Sequence, residues 1–237
     1  MRGFYFKGEY SERYGVYVTE PPEIPIAQPR SEAQKILGSS RVVHYAEDEG
    51  GGLAMEQVTQ SLDCVARADA DLLGLAAWLR GGGALVVPGD EAHMRYGWVK
   101  NQIDLKKVLR ARPDRRFTVQ FDCEGWRYHW PMPKGYALIS GGTLANRGTG
   151  SCRPLLRVTG SGDGTVTING AALAISGLTD YADIDLESQQ VYRDGVSLMS
   201  HVTREGEWPW VPAGGCTVSW SGGITGASVL EPRWRDY

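Results

Sequence analysis

Three acidic residues at alternate positions, Asp183, Asp185 and Glu187, are the strongest hint of chemistry in this sequence. Alternate residues of a strand lie about 6.5 to 7 Å apart on one face, within the carboxylate separation of an inverting glycosidase. That reaction also needs one carboxyl kept protonated by burial. The segment predicts the opposite, because Ala182, Ile184 and Leu186 take the buried face and leave the acids on the wet one. The run Gly160-Ser-Gly-Asp-Gly164 would suit a phosphate, since glycines let backbone N–H groups converge. A P-loop continues into Gly-Lys-Ser/Thr and a helix, whereas residues 165–168 alternate as a strand, so a hairpin turn is expected here. His44, His93, His129 and His201 lack the spacing of a metal-binding helix, and Cys64, Cys123, Cys152 and Cys216 form no C-x-x-C pair. No Gly-x-Ser-x-Gly elbow occurs. No catalytic residue, metal ligand or cofactor is therefore assigned.

Tryptophan is the remaining ligand-bearing residue. Trp208, Trp210 and Trp220 fall in or beside loops near the C-terminus, where aromatic faces can stack on sugars. The alternative function is accordingly a carbohydrate-binding module recognising host surface glycans. Prolines beside Trp208 and Trp210 fit a buried corner or a protein interface better.

The elements that would position these groups are mostly strands. The chain of 237 residues is long enough for one large or two small domains, and its 31 glycines and 12 prolines imply many turns. A net charge of -3 gives no global reason to bind nucleic acid or an acidic membrane. The basic run Lys106, Lys107, Arg110, Arg112, Arg115, Arg116 is read as a solvated flank of the strand that follows. The N-terminal residues lack a secretory apolar stretch, and no apolar run approaches the ~20 residues of a membrane span, so folding in a cytosol is expected.

Residues 3–19 alternate aromatic and polar groups as two short strands, with Lys7-Gly8 as a turn. Residues 20–30 carry four prolines and must be extended. Strands are expected near 42–45 and 56–66, the second with Val58, Leu62 and Cys64 inward and Gln60 breaking the alternation. One helix is predicted at about 69–80, capped by Asp69 or Asp71 and closed by Gly81-Gly-Gly83. Further strands follow, and the prolines at 130–135 mark a domain boundary. Beyond it, Asn169-Gly170 and Asp194-Gly195 are hairpin turns, and Cys216, Val218 and Trp220 alternate before Gly222-Gly223. The whole reads as all-β, with two sandwich-type domains at 1–132 and 133–237.

With strands placed, the order of motifs resembles the distal tail protein (Dit) family of long, non-contractile phage tails. The front, Phe4-Tyr-Phe-Lys-Gly-Glu-Tyr-Ser-Glu-Arg-Tyr-Gly-Val-Tyr-Val18, is similar to that family's opening element, and residues 25–30 to its proline and arginine arm. Ala77-Trp78-Leu79, Leu85 and Tyr96 resemble its helix and strand pair. At the back, Asn146-Arg-Gly-Thr149, Pro154, residues 158–170, Ile184-Asp185, Pro212-Ala-Gly214 and Pro232-Arg-Trp234 match in order. Two departures stand out: Leu37-Gly-Ser-Ser-Arg41 replaces a usual Pro-Gly-Arg, and no carbohydrate-binding module is inserted.

The resemblance implies an N-terminal sandwich with one helix and a galectin-like C-terminal sandwich. It implies a structural, non-enzymatic virion protein at the tail tip, assembled in the host cytoplasm into a homohexameric ring. Its partners would be the tail tube protein, a tail-associated lysin or tail fibre and receptor-binding baseplate proteins. DNA would pass through the ring without specific binding, and no membrane is involved. The ring contact is expected at Phe4, Phe6, Tyr14, Pro25, Pro29 and Arg30.

Overall fold

A computed structural model describes residues 2–35, 40–46, 52–103 and 115–237. Most of the basic run, Lys106 to Arg112, and residues 37–39 of the variant loop lie outside the described residues. The chain forms two compact units, one made of 1–30 with 55–130 and Tyr237, the other of 31–54 with 131–236. The first unit is thus discontinuous, where the sequence suggests an unbroken 1–132. Its two pieces are joined at the base of the excursion, where Pro29 bridges Met55 and the Glu56 amide donates to the Gln28 carbonyl at 2.8 Å.

The strands run β1 (Tyr5–Phe6), β2 (Glu9–Tyr10), β3 (Val16–Val18), β4 (Ser31–Lys35), β5 (Val42–Ala46), β6 (Val58–Ala66), β7 (Gly82–Val86), β8 (His93–Val99), β9 (Arg116–Cys123) and β10 (Arg127–His129). They continue as β11 (Tyr136–Ala137), β12 (Gly142–Leu144), β13 (Leu155–Ile168), β14 (Ala171–Asp185), β15 (Gln190–Arg193), β16 (Val196–Ser197), β17 (Val202–Arg204) and β18 (Cys216–Glu231). The expected all-β class holds, and the helix α1 (Leu72–Trp78) is shorter than its 69–80 pattern. Asp71 is the cap, its carboxylate accepting from the Gly74 amide at 2.8 Å.

In the first unit an antiparallel sheet runs β2-β1-β7-β8-β9-β6-β3, and β10 pairs the start of β8. Its buried face is aromatic. The Trp78 ring stacks on Phe4 at 5.5 Å and on Tyr14 at 4.9 Å, meets Phe6 edge-on, and donates its indole N–H to the Phe6 carbonyl at 3.0 Å. Each such ring pair is worth about 0.5–1.5 kcal/mol beyond the area it buries. Alternation in β6 behaves as expected, with Leu62 and Cys64 in this core. Gln60 keeps the same inward phase instead of breaking it, because its amide finds the Glu23 carbonyl at 2.8 Å.

The second unit is built on three long antiparallel strands, in the order β11-β18-β13-β14-β15-β16, with β12 also on β18 and β17 on β14. Val166, Ile168, Ala182, Ile184 and Leu186 are fully buried, as the alternation requires. Asn169 and Gly170 both have positive φ, 50° and 81°, which makes the tight β13–β14 hairpin.

The glycine run at 160–164 corrects the sequence reading. It is no hairpin turn but the middle of β13, where a bulge shifts the pairing between Gly162 and Gly164. Gly222-Gly223 likewise lies inside β18 instead of ending a strand. A Cβ on Gly160 would stand 2.0 Å from the Gly223 carbonyl oxygen, so the neighbouring backbones approach there as only glycine permits. Residues 31–35 and 42–46 form a separate two-stranded ribbon in which nearly every side chain is exposed.

Candidate interaction surfaces

The acidic row of β14 is not a wet face. Asp183 is only 7% exposed and takes a two-pronged ion pair from Arg157, Nε to Oδ1 at 2.7 Å and Nη2 to Oδ2 at 2.8 Å. The Arg157 guanidinium also lies 4.0 Å over the Tyr181 ring, and its bond to Asp183 raises its own pKa. Asp185 accepts from Arg233 Nη1 at 2.7 Å and from the amides of Glu187 and Ser188. Burial opposes its ionisation, but Arg233 and those amides outweigh burial and hold its pKa below the usual carboxylate value. Arg233 is fixed in turn by Glu231 at 2.9 Å. Asp185 is thus held in its ionised form, the opposite of the raised pKa that a general acid requires. Both acids instead clamp β14 to β13 and to the segment after β18.

The tryptophans do not make a platform. Trp208 is buried in the second unit's core with the Arg204 guanidinium 5.6 Å from its ring, which removes it from the surface. Trp220 is half-buried against that core, and Trp210 is half-buried two residues from Trp208. Stacking of a sugar across all three is therefore excluded by the burial of Trp208.

The expected ring-contact residues also separate. Phe4 and Phe6 are fully buried, so they are core and not interface; alternation alone cannot tell which ring of a short N-terminal strand the helix covers. Tyr14 is partly buried on Trp78. Pro25 and Pro29 are half-buried and Arg30 is exposed, on an extended strap over residues 20–30 that is tied down by its backbone. Ile26 projects from the strap at 69% exposure.

Two other surfaces in this structure carry exposed apolar groups. Tyr5, paired with Tyr10 across β1 and β2, packs on the Tyr10 ring at 5.3 Å and on the Trp130 ring at 5.0 Å. The three rings wall an open cavity of about 350 Å³ whose rim holds Arg2, Glu12 and Glu91. Arg2 and Glu91 are ion-paired at 3.1 Å, and Glu12 accepts from the Gly3 amide at 2.8 Å. The second is the β4–β5 ribbon, where Val42 and Tyr45 are 46% and 58% exposed. Composition could signal neither, because the groove depends on a cross-strand pairing and on a ring 125 residues away from Tyr5, as their numbers show.

His93 and His129 pair across β8 and β10, their rings edge to face at 5.8 Å. All four cysteines are free, and burial pushes the thiols of Cys64, Cys123 and Cys152 up to about 12. No described helix is long and apolar enough to cross a membrane.

No protein-family model matches the sequence, and no curated protein is measurably similar to it. Among solved structures, the crystal structure of SPP1 Dit (gp 19.1), described as a paradigm of the hub adsorption apparatus in phages infecting Gram-positive bacteria, matches with a TM-score of 0.73. The match covers 97% of this chain and 98% of that one at 12% sequence identity. At that identity the likeness establishes a shared fold along the whole chain.

Proposed function

We propose that this protein is a structural component of a phage tail tip, a distal tail hub that forms a hexameric ring. In this reading the ring continues the tail tube, docks the adsorption apparatus, whether lysin, fibre or receptor-binding proteins, and leaves a channel for DNA. The observation that carries it is the fold shared end to end with a hub protein, with neither chain left with a large unmatched domain.

The surface chemistry supports assembly over catalysis. A closed ring of heterologous contacts needs two different complementary patches on each copy. The aromatic groove of Tyr5, Tyr10 and Trp130 is one apolar patch with a polar rim, and the ribbon with Val42 and Tyr45 is another. Aromatic groups with charged rims are the usual anchors of protein interfaces. Both replace Phe4 and Phe6, whose burial removes them from any contact. A net charge of -3 is compatible with DNA transit without specific binding.

Tyr10→Ala and Tyr45→Asp test the patches, since Tyr10 is 56% exposed and neither change disturbs a core. The expected result is a folded protein with unchanged circular dichroism that no longer forms the ring. A ring of unchanged mass in both variants would remove these two surfaces from the assembly.

A further inference from the structure

The sheet of the first unit has two faces, and the aromatic core takes only one of them. Cross-strand partners share a face, so Gly82 on β7, Trp98 on β8, Asp122 on β9 and Thr59 on β6 form one row on the opposite, outer face. Trp98 is 49% exposed in that row, and Tyr96, two residues earlier on the same face, is 38% exposed.

The pose of the Trp98 ring is set by a glycine. A Cβ built on Gly82 would collide almost equally with three consecutive ring atoms, Nε1, Cε2 and Cδ1. An edge-on ring would bring one atom far closer than its neighbours, so the indole lies flat across Gly82. The missing side chain lets the ring lie down on the sheet, with one face against backbone and the other toward solvent.

Beside this platform stands a fixed row of polar groups. Asp122 Oδ1 accepts from Lys100 Nζ at 2.9 Å and from Thr59 Oγ1 at 3.1 Å. Its Oδ2 makes no hydrogen bond among the described residues. Two residues along the same strands, Gln120 Nε2 donates to Ser61 Oγ at 3.4 Å. The centre of a protein interface is depleted of charged groups, whereas this ring has an ion pair at its side. A flat aromatic face bordered by both donors and acceptors is instead complementary to a pyranose. The sugar lays its C–H face on the indole and turns its hydroxyls, each both donor and acceptor, to the polar row.

We propose that the outer face around Trp98 is a carbohydrate-binding site for an uncharged, gluco-configured pyranose chain. One sugar ring stacks on the indole, and its hydroxyls bond to Asp122 Oδ2 and Lys100 Nζ. Equatorial hydroxyls leave the flat C–H face that this platform requires. Tyr96, about 6.5 to 7 Å away along β8, continues the surface toward the next sugar of the chain. The site shares no residue with Trp208, Trp210 or Trp220, and it stands whether or not the protein forms a ring.

Saturation-transfer NMR and titration calorimetry on the full-length protein decide it, with cellotetraose and tetra-N-acetylchitotetraose as probes at millimolar concentration. At least one of the two is expected to bind. Trp98→Ala should weaken that binding by about tenfold or more. Gly82→Ala keeps the indole but lifts it off the sheet, and should weaken binding by about threefold or more; Asp122→Asn should act to a similar extent. No binding of either sugar by the unaltered protein overturns the proposal, as does binding that survives both Trp98→Ala and Gly82→Ala. If neither sugar binds and Trp98→Ala lowers the mass of the assembly, the face is a protein contact, which also overturns it. Should Trp98→Ala fail to fold, Gly82→Ala and Asp122→Asn carry the same test.

Discussion

The two units solve the same problem, closing a curled antiparallel sheet around a core, by opposite means. The first uses large rings and one helix: Trp78 gathers Phe4, Phe6 and Tyr14, and short strands suffice because each ring fills much space. The second has no α-helix among its described residues, only a 3-10 turn at Met199–His201, and few rings. It uses three strands of 14, 15 and 16 residues, aliphatic side chains, glycines where backbones must touch, and arginine–carboxylate clamps between strands. The lesson is that one unit depends on volume and the other on backbone approach, so they should fail under different substitutions.

Gly160→Val should have the largest effect. The added Cβ meets a backbone oxygen at 2.0 Å at a residue with φ of 154°, and neither can give way cheaply. A loss of roughly 4 kcal/mol or more is expected, confined to the second unit. Buried thiols report this separately: Cys152 should become reactive to alkylation at pH 8 while Cys64 and Cys123, also pushed up to about 12, stay protected. Simultaneous labelling of all three would show that the units do not unfold independently.

Trp78→Ala is the mirror experiment and should cost about 3–5 kcal/mol. Here Cys64 and Cys123 should be exposed first, with Cys152 protected. The reverse order of labelling would contradict the assignment of Trp78 as the hub of the first core.

Arg233→Met should act more mildly, by about 2 kcal/mol, since it leaves Asp185 and Glu231 without their shared cation in a half-buried place. Its pH dependence is the sharper readout. Asp185 has a folded pKa below its unfolded value of about 3.9, so its contribution is fully present above that pH and is lost as pH falls through the folded value. The second unit should therefore lose stability below about pH 4, and Arg233→Met should flatten that slope. An unchanged acid limb in urea melts would place the pairing outside the native fold.

The smallest effect belongs to Trp210→Ala. With Trp208 buried, this half-buried ring has no partner platform, so a change under about 1 kcal/mol and no change on a glycan array are expected. Specific glycan binding lost in the variant would reopen the carbohydrate reading.

Much of this contrast is visible in the sequence where the signal is local. Alternation in residues 165–168 and 182–186 is enough to choose the buried face, and Asp71 with Leu72, Leu75 and Leu79 is enough to place the helix. What sequence could not show depends on partners far along the chain. Asp183 looks like a wet carboxylate because Arg157 is 26 residues away, and Asp185 because Arg233 is 48 away. Glycines 160–164 look like a turn because a bulge and a hairpin need the same backbone freedom; only the approach of Gly223 distinguishes them. Phe4 and Phe6 look like interface because nothing near them in sequence announces Trp78.

The central claim is assembly into a ring, and native mass spectrometry of the purified protein with negative-stain imaging tests it most directly. Six copies of a 26.0 kDa chain give 6 × 26.0 kDa, about 156 kDa. The account predicts that mass and a six-fold ring with a central hole, either free in solution or on isolated tail tips. A protein that stays at 26.0 kDa at micromolar concentration, and that is found on tails in a number other than six, would contradict it.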